Sequence, residues 1–148
     1  MTFPYSKENA ESYQRLKSLA QRLTDTDLAL STEYGWTVAA LLAHLAFWDQ
    51  RMIVILRRWQ EEGLDPSPID STAVNDALKM ICHALEPRRA VDLCLVSAEA
   101  VDAAFEKLSA EFVKQIEEHA EVTETQFRMN RSLHRNGHLN DIEALLKK

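Results

Sequence analysis

Thr37-Val-Ala-Ala-Leu41-Leu-Ala-His44-Leu45-Ala-Phe-Trp48-Asp-Gln-Arg-Met52-Ile-Val-Ile55-Leu-Arg-Arg-Trp59 is the stretch on which the fold turns. Leu41, Leu45, Trp48, Met52, Ile55 and Trp59 recur at steps of three and four residues. On a helix that turns about 100° per residue they make one apolar stripe, roughly six turns long. Thr37 is a good N-cap residue, and Trp36 and Leu41 are spaced to form a hydrophobic staple across it. Gly63, with Pro66 and Pro68 just beyond, supplies the stop. A stripe of that length has to be buried against other helices.

Three further helical patterns flank it. The first runs from Ser6 to Leu23, with Tyr13, Leu16, Ala20 and Leu23 at helical spacing, and Thr24 to Gly35 reads as a loop. After Gly63 a long connection holds a short helix, Thr72 to Leu85, capped by Asp70 or Ser71. Pro87 suits the first turn of the third long helix, whose seam is Cys94, Ala98, Val101, Phe105, Leu108, Phe112 and Ile116. The fourth is predicted to start at a capping box of Thr123 and Gln126, with Val122 and Phe127 as its staple, and to end near Leu146. The expected fold is all-α: a four-helix bundle with a long crossover, carrying a short helix, between helices two and three. Residues 1–148 read as a single domain, with no internal repeat and no linker.

Composition agrees and narrows the function. Of 148 residues 46% are hydrophobic and 27% charged, enough for a continuous core. Three glycines are too few for a phosphate-cradling loop or a dinucleotide fingerprint. A net charge of −6 argues against a nucleic-acid footprint. The longest apolar run, Val38 to Trp48, is interrupted by His44 and reads as too short to cross a bilayer. No signal peptide is read at the N-terminus, and Cys82 and Cys94 read as buried free thiols. A cytoplasmic protein without a membrane or nucleic-acid partner is expected.

Chemistry concentrates near the C-terminus. On a helical projection Phe127, Arg131, His134, His138, Ile142 and Leu145 fall in one stripe about 80° wide. Burying an imidazole or a guanidinium without a partner costs several kcal/mol, so these polar members need partners. His134 and His138 are one turn apart and can converge on one ion, and His44, at the edge of the second helix's stripe, can join them. Spacing alone leaves a metal site and a hydrogen-bonded structural pair both open. His83 and His119 read as ordinary surface or helix-end residues. No histidine has Glu three residues before it, which dismisses a ferritin-like di-iron site, and His-Glu-x-x-His is absent. Gly137, between the two histidines, costs about 1 kcal/mol relative to Ala mid-helix, and either a close approach, room for a ligand or simple tolerance accounts for it.

Gly35-Trp-Thr-Val-Ala-Ala-Leu-Leu-Ala-His44-Leu45, the Val74-Asn75 pair and Arg131-Ser-Leu-His134-Arg-Asn-Gly-His138-Leu together resemble the DinB/YfiT-like superfamily, over nearly the whole chain and in the family's order. Ala40 departs from the pattern, where relatives often carry a polar residue. The resemblance implies a four-helix bundle and a three-histidine site for a divalent metal ion, zinc or nickel first, with His44, His134 and His138 as ligands. It also implies thiol-dependent transferase or hydrolase chemistry and a homodimer.

Three imidazoles with an open position are a catalytic rather than a closed structural arrangement, one that activates a water or a thiol near neutral pH. Neither cysteine is placed to be that thiol, so a low-molecular-weight thiol is the expected small-molecule partner. Arg131 is the candidate contact for a substrate anion, with a salt bridge to Glu124 or Asp141 as the alternative. Asp141 is either an orienting partner of His134 or His138 or a solvated carboxylate. Trp36, Trp48 and Phe127 read as pocket walls or as plain core. The rival function is a metal- or ligand-binding bundle with no catalysis.

Overall fold

A computed structural model describes residues 3–148, and every regular element among them is an α-helix: α1 Ser6–Arg22, α2 Asp25–Ala29, α3 Val38–Glu62, α4 Ser71–Ala84, α5 Pro87–Glu106, α6 Ala110–Thr123 and α7 Ser132–Leu146. The β pairing among these residues is one isolated bridge, Ser31 with Thr37.

Helix α3 is the axis of the molecule. Thr37 Oγ1 accepts the Ala40 amide at 3.1 Å, and Gly63 ends the helix at a φ of +92°, where a side chain would be strained. From Val38 to Ala46 every residue is buried, not only the stripe, because α2, α4, α5 and α7 all pack on this helix. Length and composition would let α3 cross a membrane, which the shorter run read from the sequence does not, but 78% of the apolar window is buried inside the fold. It behaves as a core helix. Helix α5 lies along it, and α1 packs on both α5 and α7. The core falls into two clusters, one around the N-terminal half of α3 and one around Trp59, Phe105, Ile116 and Phe127 at its far end.

Three boundaries differ from the sequence reading. The Thr24–Gly35 stretch contains α2, fixed by a reciprocal capping box in which Thr24 Oγ1 accepts from the Asp27 amide and Asp27 Oδ2 from the Thr24 amide. Five residues hold as a helix because Leu28 is fully buried, a contribution of about 1.5–3 kcal/mol. The third helix is two helices, since Ser109 Oγ accepts the Phe112 amide and starts α6 after a turn at Lys107. The apolar repeat runs through the break, which hides it.

The largest change concerns the fourth helix. Thr123 ends α6 rather than capping α7. Its hydroxyl donates to the His119 carbonyl, and Glu124 takes the left-handed conformation at φ 55° while its amide bonds to Ala120 O. Residues 124–131 are an ordered non-helical strap, and α7 starts only at Ser132. Its start is held from a distance: Asn9 Oδ1 accepts the Arg131 amide at 2.8 Å, and Asn9 Nδ2 donates to Met129 O. Asn130 Oδ1 accepts the Ser132 amide.

Candidate metal centre

His44 arrives from the second turn of α3, and His134 and His138 from the first two turns of α7. Ring centroids stand 5.4 Å apart for His44–His134, 5.0 Å for His44–His138 and 5.0 Å for His134–His138. One ring nitrogen from each lies within 4.8 Å of the others, a separation that suits a shared ion. The face of α7 that enters the core is Arg135, Leu139 and Ile142, so the two histidines sit on its flank. Phe127 and Arg131, grouped with them in the projected stripe, precede the helix.

Burial keeps the imidazoles neutral. It pushes His44 down to about 4, with His138 nearby adding to the effect. Burial pushes His134 down to about 2, assisted first by the Arg131 guanidinium. His138 is also lowered by burial, while Asp141 pulls the other way. Neutral imidazole is the form that binds a metal. His44 Nδ1 and His138 Nδ1 are buried without a hydrogen-bond partner among the described residues. An unmatched buried nitrogen is costly, so the cluster fits a cation better than it fits a self-contained structural pair.

Trp36 packs edge-on against His44 at 5.4 Å, with His83 on its other side at 5.7 Å. His83 is exposed and spans two elements: its Nδ1 meets Lys79 O and its Nε2 accepts the Thr37 amide at 3.2 Å. His119 lies far from the cluster, edge-on to Trp59. Trp48 holds Asn75 of α4 through an indole N–H bond at 3.1 Å. Phe127 is core, packed on Trp59 and Phe105.

Beneath the histidines lies a charge network that the sequence reading missed. Arg131 Nε pairs with Asp49 Oδ1 at 3.0 Å, both residues buried, rather than with Glu124 or Asp141. Arg135, 1% exposed, donates to both Asp102 oxygens at 2.8 and 2.7 Å, to Ser12 Oγ and to two backbone carbonyls. The available signal was Asp49 and Asp102 on otherwise apolar faces of α3 and α5.

Two cavities meet at this cluster, sharing His44, His134 and Asn75 as wall. One, about 650 Å³, is framed by Trp36, Leu41 and Leu145 with Glu33 and Asp141 at its polar side, and also touches His138. The other, about 550 Å³, is framed by Trp48, Gln126, Arg128, Asn130 and Arg131. Both cysteines are buried free thiols raised by burial, and neither lines these cavities. A Cβ at Gly137 would meet nothing within 4 Å, so no close approach explains that glycine.

Three neutral imidazoles from two helices, opening onto cavities, define a helical protein with a candidate metal-binding site. The chain belongs to the DinB superfamily, whose family model matches residues 8–141, a span that includes all three histidines. Comparison with curated proteins and with solved structures finds no match.

Proposed function

We propose that this chain is a divalent-metal-dependent enzyme of the thiol-dependent S-transferase or hydrolase type, with His44, His134 and His138 as metal ligands. The observation that carries this reading is the convergence of three neutral imidazoles, His44 buried and His134 and His138 half-buried, with one nitrogen from each within 4.8 Å of the others where two cavities meet. In the same reading α1, α3, α5 and α7 are the four helices of a bundle, and α4 lies on the crossover. A divalent ion held there supplies Lewis acidity and makes a thiol or a water a stronger nucleophile near neutral pH.

The protein's own contribution is placement and exclusion. The Arg131–Asp49 and Arg135–Asp102 pairs fix α7 against α3 and α5, and so fix the histidines. Trp36 and Trp48 shield the His44 ring on two sides. The buried cysteines offer no nucleophile, so the thiol comes from a small-molecule cosubstrate.

Metal content of protein purified without a histidine tag tests the site. About one divalent ion per chain is expected, lost in His138→Ala. Equal and negligible metal in both proteins overturns the site. Chelator-sensitive transfer between reduced thiols and electrophilic acceptors tests the activity. Metal-loaded protein inert toward every thiol and ester favours a non-catalytic metal- or ligand-binding bundle.

A further inference from the structure

The two cavities that meet at the histidines differ in charge. The first carries Glu33 and Asp141 against a single Lys148. The second carries Arg128 and Arg131 and no carboxylate or lysine among its described lining residues. In a chain with 23 acidic and 17 basic residues, a concavity of that sign is not what composition alone would produce.

Its two guanidiniums retain donors to offer. Arg131 uses Nε on Asp49 and Nη1 on Arg128 O, while its Nη2 meets no partner among the described residues. Arg128 is exposed, and its side chain makes no ion pair or hydrogen bond among them. The strap that carries Arg128 is held in place along its length. Arg51 donates to Gln126 O and Ser67 O, Thr125 Oγ1 accepts the Ser67 amide, and Asn9 Nδ2 holds Met129 O. With the strap's backbone fixed before binding, only the Arg128 side chain has to be ordered on binding. The side-chain amides of Asn75, Gln126 and Asn130 complete a polar wall.

We propose that this second cavity seats a carboxylate, held by Arg128 and Arg131, and belonging to the molecule whose reactive end reaches the three histidines. The proposal rests on the three-histidine site being where the reaction occurs, and it narrows the substrate or cosubstrate to an anionic small molecule. A carboxylate suits the site better than a phosphate does. Two of the amides at the start of α7 are already taken, Arg131 N by Asn9 and Ser132 N by Asn130, and the charged donors of the cavity are planar guanidiniums, which match a carboxylate edge to edge.

The test uses succinate as probe on metal-free, full-length protein at constant ionic strength, followed by NMR of the arginine Nε–Hε groups and the backbone amides. Saturable binding is expected, with shifts centred on residues 126–134. Arg128→Gln should weaken it tenfold or more, as expected for losing a charge-assisted hydrogen bond. The Arg128 side chain contacts none of the buried charge network, and the backbone carbonyl that accepts from Arg131 is kept in the variant, which should therefore fold and hold as much metal as wild type. Succinate binding equally strong in Arg128→Gln, or matched by the uncharged succinamide, overturns the proposal. Inorganic phosphate binding tighter than succinate overturns the carboxylate assignment. Failure of the proposal with metal content intact leaves the three-histidine reading standing. A chain that binds succinate through Arg128 but holds no metal refutes that reading and keeps the anion seat.

Discussion

Lowering the pH from 7.5 to 5.5 should weaken zinc binding to this chain by less than about tenfold, because protons scarcely compete for its ligands. An imidazole with the ordinary pKa of about 6.5 is neutral in roughly ten molecules of eleven at pH 7.5 and in one of eleven at pH 5.5. Three such ligands would together lose a factor of about a thousand. Here burial lowers His44 to about 4, so it stays neutral at pH 5.5, and His134, near 2, is further still from its titration. Only His138, lowered less decisively because Asp141 opposes the shift, can contribute to the loss.

The direction follows from the same shifts. Each depressed pKa removes a proton that the metal would otherwise have to displace, so affinity holds as the pH falls and drops only when His138 charges. Calorimetric zinc titrations at pH 5.5, in two buffers of different ionisation enthalpy, count the protons released. Three unperturbed histidines release about 2.7, whereas this site should release fewer than one. A thousandfold loss of affinity, accompanied by release of more than two protons, would refute the reasoning: the imidazoles would then be solvated and not held neutral by the fold.

Two further substitutions probe the frame around the site. Asp102→Ala leaves the Arg135 guanidinium, 1% exposed, with only Asp49 at 3.9 Å for charge compensation, and should cost about 3–5 kcal/mol, lowering Tm by roughly 10 °C in a thermal melt. Gly137→Ala should do the opposite: its Cβ enters open space within a helix, so a gain of about 0.5–1 kcal/mol and unchanged metal content are expected, and a loss of stability would show that the glycine has a packing role.

The features legible in the sequence are those that local chemistry fixes. Thr37 caps α3, Gly63 ends it, Asp70 caps α4 and Pro87 opens α5, each through groups within a few residues. The two histidines of α7 were legible for the same reason, since i and i+4 share a face wherever the helix begins. The start of α7 was not. Thr123 and Gln126 have the spacing of a capping box, but the same threonine bonds back to His119 and closes α6. The groups that hold the α7 start come partly from Asn9, some 120 residues away in the chain, and no local window contains them.

The charge network was hidden for a related reason, and it changes what the histidines mean. A helical projection assigns Arg131 and the two histidines to one polar interruption of an apolar stripe, as though all three needed the same explanation. In the fold they separate. Arg131 and Arg135 are paired with Asp49 and Asp102, carboxylates supplied by other helices, and their role there is to tie α7 to α3 and α5. The histidines receive no such partner: His44 Nδ1 and His138 Nδ1 stay unmatched, although α3, the helix that carries His44, also supplies the buried Asp49 to Arg131. A fold that brings a carboxylate to each of two guanidiniums has the means to bring one to an imidazole. That three of them instead face one another, with His44 Nδ1 and His138 Nδ1 buried and unmatched, is the strongest physical argument that what completes the cluster comes from outside the chain.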